Sequence, residues 1–188
     1  MVVLGLGLGV AVYLGLKSQS AQGAPVVSVP QGPEWTRFDD LFKKWSAIYG
    51  IDWRWAKAIC LNESNLGREK SVARGLAAPS DIEGSKSYDG LSWGLMQVTL
   101  RTAREMDPTA TAEKLNNAEY SIKLGCEYLG KLAKMFSRVE IRYLEWVIKS
   151  YNQGPGNTRK ERDGLTKGYT GDYWPRFQRN LERVEKGG

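Results

Sequence analysis

Glu63 is the residue whose type and position most clearly suggest chemistry. At helical spacing it continues an apolar stripe formed by Trp55, Ala56, Ile59 and Cys60. Partial burial disfavours an ionised carboxylate and raises its pKa above the ordinary value of about 4.3. A carboxyl group with such a pKa can act as a general acid near neutral pH. The stripe alone also allows a structural glutamate that is neutralised by a lysine or arginine.

Several other catalytic chemistries are excluded by composition. The 188 residues include no histidine and two cysteines. Ser-His-Asp catalysis, Cys-His catalysis and imidazole-based zinc sites are therefore ruled out. Cys60 and Cys126 lack the spacing of metal ligands, and we expect two buried free thiols in preference to a disulfide. We expect no metal and no cofactor, so acid-base chemistry falls to carboxylates, tyrosine, lysine or cysteine.

Short segments with polar side chains follow Glu63 in a fixed order. Ser64 is adjacent to it, residues 94–97 read Gly-Leu-Met-Gln, and residues 150–154 read Ser-Tyr-Asn-Gln-Gly. A Gly-x-x-Tyr-Leu run at 125–129 lies between the last two segments, and Gly-Tyr-Thr-Gly-Asp-Tyr follows at 168–173. Each segment alone is a weak signal, but their order argues against a chance match.

Together these segments resemble the catalytic-domain signature of soluble lytic transglycosylases and goose-type lysozymes. The resemblance spans about residues 35–184. It implies an all-α, mainly helical, lysozyme-like single globular domain. It also implies that peptidoglycan glycan strands are the substrate, and that the MurNAc-GlcNAc β-1,4 bond is cleaved with formation of 1,6-anhydromuramic acid.

The resemblance also implies a role for each motif residue. Glu63 corresponds to the catalytic residue, which acts first as acid and then as base. The substrate-binding residues would be Ser64, Trp93, Met96, Gln97, Tyr151, Asn152, Tyr169 and Tyr173. Ser64 and Gln97 would hydrogen-bond the sugar and its N-acetyl group, and Tyr151 corresponds to the tyrosine whose hydroxyl approaches the catalytic carboxyl. Met96 suits either a cleft wall or the core. The aromatic residues that could stack on sugar rings are Tyr88, Trp93, Tyr169 and Tyr173.

Departures from the signature bear on the outcome of the reaction. Ser150 replaces an alanine of the motif, and Ser121 stands where many relatives have asparagine. Goose-type lysozymes, which hydrolyse the bond, use aspartates in the loop after the glutamate and just after the glutamine. Here Asp81 and Asp89 lie in that loop, but Thr99 occupies the second region, which favours transglycosylation. A hydrolytic goose-type muramidase of the same fold and a non-catalytic wall-binding or structural assembly protein remain alternatives.

Amphipathic patterns predict helices over most of the domain. The predicted helices cover residues 35–49, 53–65, 100–106, 117–136, 140–151 and 174–186. Asp52 and Thr99 suit N-caps, and Gly50 suits a C-cap. Residues 67–93 are rich in Gly, Ser, Asp and Pro and predict a long irregular loop. No segment shows convincing strand alternation, although the 80s could hold a short hairpin.

The N-terminal segment differs in composition from the rest of the chain. Residues 1–16 are uncharged and rich in Leu, Val and Gly, and they end at Lys17. They are shorter than the span of about 20 residues that crosses a bilayer comfortably. We expect residues 1–17 to be a transmembrane anchor or an export signal that is cleaved after Gly23. Residues 18–33 predict a flexible linker. Residues 34–188 would then be the catalytic domain, anchored or exported and facing the periplasm or cell wall.

Charge supports an anionic partner. The net charge is +6 and the pI is about 9.3. Lysines and arginines are interleaved with acidic residues and no nucleic-acid motif accompanies them, so an anionic wall polymer is favoured over nucleic acid. The resemblance leaves the setting open among wall turnover, an envelope-spanning secretion or conjugation machine, and a phage virion.

Overall fold

The computed structural model describes residues 33–67, 91–136 and 138–187. Within these ranges the backbone is mainly helical and forms one domain, which confirms the predicted fold class. The helices, in chain order, are α1 (Pro33–Thr36), α2 (Asp39–Tyr49), α3 (Trp53–Ser64), α4 (Leu100–Met106), α5 (Ala112–Leu115), α6 (Ala118–Met135), α7 (Tyr143–Gln153), α8 (Pro155–Arg162) and α9 (Tyr173–Gly187). Two-residue strands, β1 (Ser92–Trp93) and β2 (Val98–Thr99), pair antiparallel as a small hairpin.

Helix α3 lies at the centre of the fold. Its N-terminus is capped by Asp52, whose side chain accepts the backbone N–H of Arg54 at 2.9 Å. Ala56, Ile59 and Cys60 are fully buried, which confirms the predicted apolar stripe leading to Glu63. The helix packs most extensively against α9 and also against α2 and α6. The end of α3 is therefore held between elements from both halves of the chain.

The side of α3 away from this stripe is buried as well. Lys57 is fully buried, although helical spacing placed it off the apolar face. Its ammonium group lies 2.6 Å from Asp39 Oδ1 and 4.6 Å from the ring centroid of Trp35. A buried charge is tolerated when it is paired in this way. The ion pair and the ring therefore allow α1 and α2 to cover a side of α3 that sequence pattern alone would leave in water.

Most predicted helix boundaries agree with the structure, and the capping residues explain the agreement. Thr99 accepts the backbone N–H of Thr102 at the start of α4, and Asn117 accepts that of Tyr120 at the start of α6. Gly50 ends α2 with a φ of 69°. Asp52 also caps α3. The predicted N-caps at Asp52 and Thr99 and the predicted C-cap at Gly50 are therefore confirmed.

Other boundaries differ from the prediction. The helix predicted for 35–49 is interrupted at 37–38, where a new helix begins with two aspartates in its first turn, as the helix dipole favours. The predicted helix 140–151 runs instead over Tyr143–Gln153. Helices α5 and α8 were not predicted, because α5 has only four residues and α8 is almost wholly polar. A short hairpin that was not predicted occurs at 92–99, whereas the hairpin suggested for the 80s lies outside the described residues.

Some predictions concern residues that the structure does not describe. They are the anchor or signal at 1–17, most of the linker at 18–33, most of the loop at 67–93, and Asp81, Tyr88 and Asp89. Pro33, the last residue of the predicted linker, is the first residue of α1. Among the described helices, none combines the length and the apolar character needed to cross a membrane.

Candidate active site

The carboxyl group of Glu63 meets the hydroxyl group of Tyr173. Glu63 lies in the last turn of α3 and is partly exposed. Tyr173 is the first residue of α9, and its hydroxyl donates a 2.6 Å hydrogen bond to Glu63 Oε1. Tyr173 itself is only 2% exposed. The packing of α9 on α3 thus joins two residues that are 110 positions apart in sequence.

Tyr173 is held in its protonated form. Burial, followed by the negative charge of Glu63 and the hydrogen bond to it, raises the pKa of the Tyr173 hydroxyl well above its ordinary value. The hydroxyl therefore keeps its proton throughout the neutral range. It can donate to Glu63 but cannot itself serve as a base there.

The hydrogen bond from Tyr173 and the partial burial of Glu63 act on its carboxyl group in opposite directions. The hydrogen bond from Tyr173 stabilises the ionised carboxylate, whereas partial burial stabilises the neutral acid. A carboxyl group in such surroundings can give up a proton and take one back in consecutive steps. The expectation that burial raises the pKa of Glu63 stays a prediction.

Tyr151 does not make the contact expected of it. Its hydroxyl donates to the backbone oxygen of Met96 at 2.9 Å, while Tyr173 occupies the hydrogen-bonding position on Glu63. Burial and then the negative charge of Glu63 raise the pKa of the Tyr151 hydroxyl well above its ordinary value. Its ring packs against that of Tyr128, with centroids 5.4 Å apart. The tyrosine of the 150–154 segment therefore braces the 94–97 segment, and the tyrosine of α9 contacts the acid.

The Gly-Leu-Met-Gln segment forms the turn between β1 and β2. Gly94 has a φ of 71°, and a Cβ atom there would lie 1.9 Å from the backbone oxygen of Leu115, so only glycine fits. Leu95 and Met96 are fully buried, and the backbone N–H of Met96 donates to Ser121 Oγ at 3.1 Å. Of the two positions left open for Met96, cleft wall or core, the structure has the core, so Met96 does not contact sugar in this conformation. Its apolar side chain anchors the turn.

Gln97 lies at the cleft in a conformation that is unusual for its type. Its φ is 48°, and its side-chain Nε2 donates to the backbone oxygen of Gly94 at 2.7 Å. Left-handed backbone at a non-glycine residue is often found at functional sites. The residue opens on a cavity of about 200 Å³, whose lining is Gln97, Val98, Thr99, Thr102, Tyr128, Tyr151, Asn152 and Gly154. Asn152 is exposed at this cavity, and Asp and Glu are absent from the described residues that line it.

Ser64 connects the acid-bearing helix to the turn. Its hydroxyl donates to the backbone oxygen of Leu95 at 2.7 Å and accepts the backbone N–H of Gly67 at 2.9 Å. Ser64 is 3% exposed, so its hydroxyl is directed into the protein. The expectation that Ser64 binds the sugar is therefore corrected: its hydrogen bonds hold the 94–97 turn beside Glu63.

The aromatic candidates differ in exposure. Tyr169 is 71% exposed, and its backbone N–H donates to Gln153 Oε1 at 2.7 Å. The same glutamine donates from Nε2 to Glu161 Oε2 at 2.7 Å, which ties the 165–170 segment to α8. Trp93 is partly buried and packs on the edge of the core. Stacking of these rings on sugar stays a prediction, with Tyr169 the more accessible.

The two cysteines are structural. Cys60 and Cys126 are both free and buried, which confirms the expectation of two buried thiols. Burial raises the pKa of each thiol to about 12, so neither is a nucleophile at neutral pH. The thiol of Cys60 instead donates to the backbone oxygen of Leu95 at 3.4 Å. In the described part of the chain, the His, Cys, Asp and Glu side chains form no group that could hold a metal ion.

Asn62 and Asn180 belong to the site although no sequence motif identified them. Asn62 precedes Glu63 and donates from Nδ2 to the backbone oxygen of Tyr173 at 3.1 Å. Asn180, on α9, donates from Nδ2 to Asn62 Oδ1 at 2.7 Å. Only the adjacency of Asn62 to Glu63 could have suggested a role. Asn180 lies outside all the recognised segments.

The fold is that of a mainly helical, lysozyme-like domain, with Glu63 in the last turn of the central helix and the Gly-Leu-Met-Gln turn beside it. Residues 40–169 match the family described as Transglycosylase SLT domain. Since this match covers more than half of the chain, the protein belongs to that family, which is of the peptidoglycan-cleaving, transglycosylase type. A comparison with curated proteins found no match. Helix α9, with Tyr173, lies beyond the matched residues.

Proposed function

We propose that this protein is a peptidoglycan lytic transglycosylase that cleaves the MurNAc-GlcNAc β-1,4 bond and leaves a 1,6-anhydromuramic acid end. The observation that supports this most directly is the hydrogen bond from Tyr173 to Glu63, next to the 94–97 turn, whose Gln97 lines a cavity with no Asp or Glu among its described residues. Hydrolysing glycosidases ordinarily use two carboxyl groups. A single acid fits a reaction in which the substrate supplies its own nucleophile.

The first step breaks the glycosidic bond. Glu63, in its neutral form, donates its proton to the glycosidic oxygen as the bond from that oxygen to C1 of the muramic acid breaks. The carbonyl of the substrate's own N-acetyl group stabilises the positive charge that forms at C1. Glu63 is left as a carboxylate, and the hydroxyl of Tyr173 stabilises that charge through the 2.6 Å hydrogen bond.

The second step closes the ring. The Glu63 carboxylate takes the proton of the C6 hydroxyl, and O6 attacks C1 to form the anhydro bond. Glu63 is then neutral again and ready for another cycle, and no water is consumed. Tyr173 keeps its proton during both steps because its pKa is raised well above neutrality.

The remaining polar groups of the cleft suit substrate binding. We assign the exposed amide of Asn152 and the amide of Gln97, which both line the cavity, to the sugar hydroxyls and the N-acetyl group. Tyr169 and Trp93 are assigned to stacking on sugar rings, because aromatic faces pack well on the apolar faces of sugars. The setting that we propose is the periplasm or cell wall, reached through residues 1–17 as anchor or signal, in wall remodelling, an envelope machine or a virion.

Product analysis tests the reaction. Purified peptidoglycan is digested and the smallest glycan products are analysed by mass spectrometry. We expect 1,6-anhydro ends, which lack one water relative to the reducing ends that a hydrolase leaves. Predominantly reducing muramic acid ends, together with loss of activity in Asp81→Asn or Asp89→Asn, would replace the proposal with a hydrolytic muramidase.

A matched variant tests the assigned acid. Glu63→Gln keeps the size of the side chain and its capacity to accept from Tyr173, but it cannot transfer a proton. We expect it to bind glycan and to lose cleavage. If the variant still clears a peptidoglycan suspension at about a tenth of the wild-type rate or more, Glu63 lowers the activation free energy by at most about 1.4 kcal/mol. That is too little for the catalytic acid. A wild-type protein that binds glycan without cleaving it would favour the wall-binding alternative.

A further inference from the structure

A chain of three hydrogen bonds leads from the surface of α9 to the backbone of Tyr173. The guanidinium of Arg183 donates from Nη1 to Asn180 Oδ1 at 3.0 Å. Asn180 donates to Asn62 Oδ1 at 2.7 Å, and Asn62 donates to the backbone oxygen of Tyr173 at 3.1 Å. We refer to Arg183, Asn180 and Asn62 as the amide chain. It joins the residue before the catalytic acid to the residue that hydrogen-bonds that acid.

The direction of the amide chain is set by its first member. An arginine has donors and no acceptor, so Asn180 must turn its oxygen towards Arg183 and its amide nitrogen towards Asn62. Asn62 must then accept through its oxygen, which leaves its own amide nitrogen directed at the carbonyl of Tyr173. The guanidinium lies 5.1 Å from the ring centroid of Trp35, which holds it in place. The orientation of the buried Asn62 amide thus depends on Arg183 through Asn180.

Tyr173 is consequently held at two points by consecutive residues of α3. Asn62 binds its backbone oxygen, and Glu63 accepts from its hydroxyl. Asn62 is 4% exposed, so water cannot readily replace the amide hydrogen bond. Apolar packing of α9 on α3 brings the helices together but tolerates small shifts along the axis. A directional hydrogen bond to one carbonyl limits such shifts.

We propose that the amide chain is a positioning element of the active site: Asn62, oriented by Asn180 and Arg183, fixes the first turn of α9 so that the Tyr173 hydroxyl stays on Glu63. The part of the chain that matches the family ends at residue 169, so Asn180, Arg183 and Tyr173 all lie beyond it. The expected effect on the rate of glycan cleavage rests on the proposed function. The expected effect on the position of the Tyr173 hydroxyl does not.

Asn180→Asp is the most informative change. The carboxylate can still accept from Arg183, so the variant keeps its link to that residue, but it can no longer donate to Asn62. The Asn62 amide then turns its nitrogen towards the new carboxylate and its oxygen towards the Tyr173 carbonyl, which breaks the last link. Gln178→Glu is the matched control, because it makes the same amide-to-carboxylate change at an exposed position of the same helix. Asn180→Leu breaks the chain without adding charge.

Kinetics in a double-mutant cycle test the proposal. We expect Asn180→Asp and Asn180→Leu to lower kcat about tenfold with little change in KM, whereas Gln178→Glu keeps both. In a Tyr173→Phe background, where there is no hydroxyl to position, the same changes should cost nothing further. If the Asn180 variants lower kcat equally with and without the Tyr173 hydroxyl, the proposal is wrong. It is also wrong if both Asn180 variants are as active as Gln178→Glu.

A titration without substrate separates this proposal from the proposed function. Carbon-13 NMR of the side-chain carboxyl of Glu63 measures the pH at which it loses its proton. Asn180→Leu should move that pH upward, in the direction that Tyr173→Phe moves it. Tyr173→Phe removes the hydroxyl that donates to the carboxylate, and Asn180→Leu lets that hydroxyl move away from it. A Glu63 titration that shifts in Tyr173→Phe but not in Asn180→Leu would refute the positioning role, even for a protein that does not cleave peptidoglycan.

Discussion

Replacing Tyr173 by phenylalanine removes one hydroxyl group and tests the centre of the proposed mechanism. The hydroxyl lies 2.6 Å from Glu63 Oε1, and a hydrogen bond to a charged group contributes about 1.5–3 kcal/mol. Most of that stabilisation applies only after Glu63 has given up its proton. At pH values where Glu63 starts out protonated in both proteins, the variant should therefore have a kcat about tenfold to a hundredfold lower. The pH at which Glu63 loses its proton should also rise, because the ionised carboxylate has lost a hydrogen-bond donor.

The pH dependence of kcat on peptidoglycan distinguishes this effect from general damage. The first step needs neutral Glu63, so activity falls as pH rises through the titration of that group, and the alkaline limb of the Tyr173→Phe profile should move to higher pH. Tyr143→Phe is the matched control, since it removes a hydroxyl that donates to the backbone oxygen of Ala133 at 2.9 Å. It should keep the wild-type profile. If Tyr173→Phe retains more than about half of kcat with an unmoved alkaline limb, the role given to Tyr173 is wrong.

Three further predictions concern stability and domain limits. Burial raises the thiol pKa of Cys60 and Cys126 to about 12. The contribution of the two protonated thiols to the free energy of unfolding is therefore complete below about pH 8.5, where the unfolded chain is protonated too, and is lost as pH rises towards 12. Stability should decline there by up to about 2.7 kcal/mol per pH unit, and less steeply in a variant with alanine at both positions, as thermal unfolding against pH will show. Gly94→Ala should lose at least about 2 kcal/mol in urea unfolding, because its Cβ would meet a carbonyl of α5, whereas Gly50→Ala, with a similar φ and open space, should lose about 1. A fragment of residues 33–188 should be soluble and active, and an inactive fragment would show that the predicted linker boundary is wrong.

The sequence predicted the helices that carry both an apolar stripe and a recognisable end. Helix α6 is the clearest case, with Asn117 at its N-cap, and α2 ends at Gly50 as expected. Helix α8 was missed because its residues are polar almost throughout and no apolar period marks it. The burial of Lys57 could not be predicted either, since it depends on Trp35 of α1 and Asp39 of α2, which pack on α3 only in the folded domain. Local patterns determine where helices begin and end, whereas tertiary packing decides which faces are covered.

Motifs in the sequence located the site but did not determine which way each side chain points. The 94–97 turn does lie beside the end of α3, yet Met96 is directed into the core and Ser64 is bonded to Leu95. A motif records that residues are close together, and a residue can be required there for packing as well as for contact with substrate. Small and apolar motif residues are the ones for which this distinction matters most. Only Gln97 among the turn residues lines the cavity.

The difference between Tyr151 and Tyr173 has a physical cause that no local pattern contains. Both hydroxyls are near Glu63, and its charge contributes to the raised pKa of each. Tyr151 is drawn to the Met96 carbonyl because that oxygen, buried in the turn, needs a donor that water cannot supply. Glu63 is partly exposed and receives its donor from α9, whose position depends on Asn62. An acid that must become a base within one cycle needs a donor that remains in place while its charge changes. In the mechanism that we propose, Tyr173 of α9 is that donor, and it lies beyond the matched family region, so the activity should depend as much on the packing of α9 against α3 as on the motif residues themselves.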